Sequence, residues 1–141
     1  MRSRSFLMLN WRDPENPLAG GAERVTLKHM AELARRGHNV VWFANDFDGA
    51  KPETEIDGIR IVRGGRPGTS IFHAFLFARK NGPFDLVIDQ HHGIPWYAPN
   101  WCPDKCVAYI HEVLGPIWDA FYPWPLNAIG RWQERLTLRQ Y

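Results

Sequence analysis

Cysteine is scarce in this chain: Cys102 and Cys106 are the only two among 141 residues. Two thiols are too few to staple a small secreted scaffold, and they suit a reducing compartment at least as well. A strong charge of one sign is also missing. Lys and Arg number 17 against 15 Asp and Glu, for a formal net charge of +2. The basic residues are scattered, whereas a nucleic-acid protein gathers them into one footprint, so a nucleic-acid partner is excluded. Long hydrophobic runs are absent too. The apolar run near the start ends at Leu9, short of the roughly seven residues of a signal-peptide core and of the about twenty that cross a bilayer. The expectation is a cytoplasmic protein. No internal repeat, low-complexity tract or linker divides the sequence. With 45% hydrophobic and 23% charged residues, residues 1–141 have the balance of one globular domain with a single buried core.

Aromatic residues are unevenly placed. Of seven Trp, five are Trp96, Trp101, Trp118, Trp124 and Trp132, so the last third is built differently from the rest. Residues 5–9 read as a buried strand and residues 10–21 (NWRDPENPLAGG), with two Pro and two Gly, as a long loop. Over residues 22–36 apolar side chains recur near a 3.6-residue period, and Arg35 and Arg36 precede a stopping Gly37. The continuous apolar run of residues 39–44 (NVVWFA) predicts a strand covered on both faces. Together these form a βαβ unit with a right-handed crossover. Two extended pieces, 54–56 and 59–62, flank an Asp57-Gly58 turn. Ser70 is expected to cap a helix over 71–80 that Asn81-Gly82 closes. Further strands are expected at 84–89 and 105–111, separated by an aromatic loop, and a last helix at about 125–139. The fold class is therefore α/β: a Rossmann-like, three-layer domain with a mainly parallel sheet.

In such folds ligands bind beyond the carboxyl ends of the strands, so the loops there hold the candidate sites. Gly20 and Gly21 lead directly into a helix. Without side chains they let a ligand approach the backbone, and the free amides of a first helical turn favour an anion such as a diphosphate; a tight turn explains the pair equally well. The spacing is not GxGxxG, and Ala44 and Asn45 stand where an acidic ribose-binding residue would close the second strand, which disfavours an NAD enzyme. A second loop holds Asp89, His91 and His92. Adjacent residues on an extended chain point to opposite faces, so His91 and His92 do not share one metal ion. Cys102 and Cys106 lack the two further ligands zinc requires, and no cofactor or metal is expected.

The runs NWRDPENPLAGGAERVTLKHMAELARRGHNVVWFAN, EIDGIRIVR, FDLVIDQHHGIPWYAP and AYIHE, in that order, resemble the opening of family 4 glycosyltransferases of the GT-B fold. The resemblance implies the N-terminal, acceptor-side half of a two-domain enzyme that moves a sugar from a nucleotide-sugar to an acceptor hydroxyl with retention. It implies that Gly20 and Gly21 lie under the donor diphosphate. His111 inherits the place of a strand-end histidine that faces the transferred sugar, and it is the catalytic candidate. Glu23, Asp89, His91, His92 and Glu112 are candidate donor or acceptor contacts. The acceptor would be a carbohydrate or lipid-linked molecule. A second GT-B domain, or a partner chain, would supply most nucleotide contacts, so these residues alone are expected to be an incomplete, inactive enzyme. Glu15 and Glu23 have seven residues between them, an echo of the family's E-x7-E pair; that pair belongs to the second domain, and its role is not carried over. A non-catalytic Rossmann-like binding module is the alternative. The aromatic segment WDAFYPWP, from Trp118, is expected to pack against the core or another domain, with peripheral membrane contact as the competing reading.

Overall fold

Ser5–Leu9 (β1) and Asn39–Ala44 (β2) are parallel neighbours, Leu7 opposite Val41, in the computed structural model, which describes residues 2–141. Both strands are nearly all apolar because both faces of each are covered. They are joined by α1, Gly21–Arg35. This helix ends where Gly37 adopts φ 85°, with the Gly37 N–H on the Ala34 carbonyl and the His38 N–H on that of Leu33. Glycine adopts that left-handed turn at least cost. β3 (Glu53–Ile56) and β4 (Ile59–Arg63) make an antiparallel hairpin in which Asp57 and Gly58 both take positive φ, as a two-residue Asp-Gly turn requires. The chain continues through α2 (Ser70–Asn81), β5 (Leu86–His91), β6 (Cys106–Ile110), the short α3 (Trp118–Phe121) and α4 (Leu126–Leu138).

The six strands form one sheet in the order β3-β4-β2-β1-β5-β6, parallel except for β3. Side chains alternate across it and build two cores. Met8, Trp42, Ile61 and Ile88 pack with Met30 of α1 on one face. Leu7, Leu9, Phe43 and Val87 pack with Ala74 and Ala78 of α2 on the other. The result is the Rossmann-like, three-layer α/β fold.

Two local expectations are corrected. Ser70 is the first residue of α2 rather than its cap: its hydroxyl donates back to the Arg66 carbonyl, and Thr69 holds the cap position. β5 begins and ends two residues later than the apolar run 84–89. Asp89, Gln90 and His91 extend the strand because each polar side chain finds a buried place.

One ion pair fixes the long loop after β1. Arg63 ends β4, and its guanidinium donates to both Asp13 oxygens at 2.7 and 2.9 Å, with Glu15 at 2.7 Å. The Arg63 and Asp13 side chains are 1% and 0% exposed, and a carboxylate so deeply buried depends on that cation. Arg63→Met is expected to lower unfolding free energy by about 3–5 kcal/mol, because Asp13 is left charged and unpaired. Chemical denaturation measures this, and Arg63→Lys should recover only part of the loss, since an ammonium does not span both oxygens.

Candidate functional site

β1 lies between β2 and β5 in the sheet, so the chain leaves it on one side through α1 and later returns on the other through α2. Loops diverge at such a point and leave a crevice at the carboxyl edge of the strands. The loops that follow β1, β2, β4, β5 and β6 all emerge there.

Three of these elements bring one cluster together. Gly20 caps α1, and its N–H donates to Glu23 Oε2 at 2.7 Å. Glu23 is 1% exposed, and its other oxygen faces His92 Nε2 at 3.0 Å without an aligned hydrogen. The same imidazole nitrogen lies 3.0 Å from the Gln90 amide nitrogen, and Gln90 accepts from the Thr26 hydroxyl. One ring nitrogen cannot serve both neighbours in one state. Neutral and bare, Nε2 accepts from Gln90 and leaves Glu23 without a donor; protonated, it donates to Glu23 once the Gln90 amide rotates. Burial holds the His92 imidazole below its ordinary pKa, opposed by the Glu23 carboxylate and reinforced by His111 and Arg12.

His111 follows β6 and is exposed; its ring stacks 5.9 Å from that of His92, with 18° between the planes. Tyr109 packs on its other side at 4.7 Å, and the Tyr109 hydroxyl meets His29 Nδ1 of α1 at 2.9 Å. Glu23, His92 and His111 thus stand side by side at the head of α1. Gly21 starts that helix, and a Cβ there would meet nothing within 4 Å. Neither Gly20 nor Gly21 needs positive φ, so the fold itself does not demand glycine at either position.

Three other candidates lie elsewhere. Alternation along β5 sends Gln90 and His92 to the α1 face and Asp89 and His91 to the α2 face. Asp89 is fully buried; its carboxylate accepts the N–H groups of Trp96 and Ala98 at 2.9 and 3.1 Å and the Tyr141 hydroxyl. Burial pushes this carboxyl up, and those three donors hold it back. His91 packs edge-on against the Tyr141 ring at 5.2 Å, and burial lowers its pKa. Asp89 and His91 therefore secure the loop after β5. Glu112 lines a small hollow with His91, Val113 and Glu134, on a different side from His111. The Gly20 N–H is taken up by Glu23. Glu15 binds Arg63 and takes no part in the cluster.

His92 also borders a cleft of about 810 Å³ with walls that include Trp11, Leu18, Phe47, Arg66 and Ile71. Sequence reasoning missed these lining residues. All sit in loops after parallel strands or at the following helix start, so the rule that singled out the loop that holds His92 would have found them if applied to every loop. Among the described residues no three His, Cys, Asp or Glu side chains converge as metal ligands. Cys102 and Cys106 are unpaired thiols, and burial pushes Cys106 up to about 12.

Comparison with curated proteins finds no match. The model of Glycosyltransferase Family 4, by contrast, matches residues 19–141, from the loop before α1 through every later element of the sheet. With the glycine-led helix and the two strand-end histidines inside that match, this chain belongs to glycosyltransferase family 4.

Proposed function

We propose that this chain is the acceptor-side half of a GT-B enzyme that transfers a sugar from a nucleotide-sugar to an acceptor hydroxyl, with retention of configuration. The observation that carries the reading is the head of α1. The N–H groups of Gly21 and Ala22 have no hydrogen-bond partner among the described residues, and the next residue, Glu23, meets His92, on which His111 stacks. Backbone amides with the helix dipole behind them favour the negative charge that develops on a leaving diphosphate. His111, exposed and able to donate or accept, would hold a hydroxyl of the transferred sugar. Trp11 and Phe47 give the adjoining cleft ring faces on which an acceptor's apolar surface can rest. A second Rossmann-like domain, in this chain's continuation or in a partner, would close the nucleotide side and add cations. The scheme assigns no step to a metal.

Calorimetric titration with UDP- and GDP-sugars tests this. A form joined to a second GT-B half should bind one of them, and the 141-residue chain alone should bind weakly. Tight binding of a dinucleotide such as NAD by the short chain would sink the reading. In the joined form, Gly21→Ala should leave thermal stability equal or raise it by up to about 1 kcal/mol, because alanine is the better helix former. Diphosphate binding should nevertheless weaken, because the new methyl occupies the open approach. His111→Ala should lower turnover roughly tenfold to a hundredfold, the worth of one hydrogen bond to a polarised group.

The histidine beneath has its own signature. His92 in the folded chain lies below the ordinary value of 6.5, so the folded state binds fewer protons than the unfolded one as pH falls past 6.5. Its contribution to stability is complete above that pH and is lost as pH drops toward the folded value. NMR titration should show a His92 midpoint under 6.5, and Glu23→Gln should move it lower still, because Glu23 is the group that raises it. A midpoint that climbs in the variant would refute the coupling.

A further inference from the structure

α4 faces the wrong way for a helix of a water-soluble surface. Its inward side is polar. Glu134 accepts the N–H groups of Leu114 and Gly115, both at 2.9 Å, and the Trp118 indole N–H at 3.2 Å. Gln133 donates to the Gly93 carbonyl at 3.1 Å and accepts the Tyr97 hydroxyl at 3.0 Å. Thr137 is buried, and Gly130 lies so close to the Trp118 ring that a Cβ would come within 2.4 Å. These contacts fix which side of the helix points in.

The outward side is therefore apolar. Leu126, Ile129, Trp132 and Leu136, at helical spacing, form an exposed stripe, with Trp132 64% in water. Phe121, Tyr122 and Trp124 continue it from α3, and Trp124 is 80% exposed. Within this segment Trp118 alone packs into the core.

Arg131, Arg135 and Arg139 recur every four residues and so form a row beside the stripe. Arg131 pairs with Asp119. Arg135 and Arg139 make no ion pair among the described residues. The acidic groups nearby are Asp119, which is occupied, Glu134, which is turned inward, and Glu112, in the hollow behind α4. An apolar stripe with Trp and Tyr at its rim and unpaired guanidinium groups along one flank suits the boundary of an anionic bilayer: rings enter the acyl edge while cations remain at the phosphates. A protein partner's apolar patch would leave those cations unused. α4 has 13 residues and no helix among the described residues is long and apolar enough to cross a membrane, so the helix would lie in the plane of the surface.

The geometry points to the α3–α4 face as a docking surface for an anionic lipid bilayer, with Trp124, Trp132 and the aliphatic stripe inserted and Arg135 and Arg139 on headgroup phosphates. The inference does not depend on the transferase reading. Vesicle co-sedimentation of the 141-residue chain tests it, with phosphatidylcholine alone and phosphatidylcholine mixed with phosphatidylglycerol. The chain should pellet with the mixed vesicles, release as salt rises, and pellet far less with the neutral ones. Trp124→Glu with Trp132→Glu, and separately Arg135→Glu with Arg139→Glu, should each weaken binding roughly tenfold or more. All four side chains are exposed, so the melting temperature should stay near that of the parent, which separates lost docking from lost folding. Equal pelleting on neutral and anionic vesicles, or none on either, would overturn the assignment. So would a dimer, seen by analytical ultracentrifugation, that the Trp pair abolishes while vesicles have no effect.

Discussion

Glu23 is withdrawn from water almost completely, and a carboxylate in that position survives only if nearby groups replace its hydration. The Gly20 N–H and the positive end of α1 do so, while the edge of His92 faces its second oxygen at 3.0 Å and donates to it only when Nε2 is protonated. Each belongs to a different piece of chain, so a single buried charge ties the loop after β1 to the helix it enters and both to the end of β5. His92 is oriented by that contact, and His111 stacks upon His92. The glycines, the two histidines and the first turn of α1 are thus one unit.

The same carboxylate limits what the helix end can do alone. It takes the Gly20 amide and places negative charge beneath the site, so a diphosphate would meet only the amides of Gly21 and Ala22 with partial support from the dipole. Attraction of that size does not hold a doubly charged group firmly in water. The proposed reading, a half-site completed by cations from another domain, is compatible with this electrostatic balance. Beside it the loop after β1 is held by Arg63 and Asp13, which keeps Trp11 and Leu18 at the wall of the cleft rather than collapsed into it.

Sequence reasoning reached β1 and β2 residue for residue because strands covered on both faces must be continuously apolar, and little else in a sequence has that form. It placed β5 two residues early for the converse reason. Asp89, Gln90 and His91 are polar, yet each is buried, and the partners that allow this for Asp89 and His91 are Trp96, Ala98 and Tyr141, up to 52 residues away. Position at a strand end was enough to single out the loop that holds His92, and the family resemblance pointed to His111. It could not reveal that Asp89 and His91 meet Trp96, Ala98 and Tyr141, or that Gly20 spends its amide on Glu23. The short α3 carried no readable signal, since four residues between Pro116 and Pro123 show no periodicity.

α4 marks the boundary of what a pattern can say. Its period was legible over residues 125–139, and the helix is there; a period gives the angle of an apolar stripe and not the direction in which it points. Direction follows from tertiary contacts. Rotating α4 about its axis to hide Trp132 and Ile129 would remove Glu134 from two backbone amides and an indole N–H, leaving those half-buried donors to water or unmet, at up to about 1–3 kcal/mol each. It would also drive a residue with a side chain against Trp118, where only Gly130 fits. Hydrogen bonding and close packing thus outweigh the burial that the stripe would gain, and the helix presents its apolar side outward as a consequence of how its polar side is held.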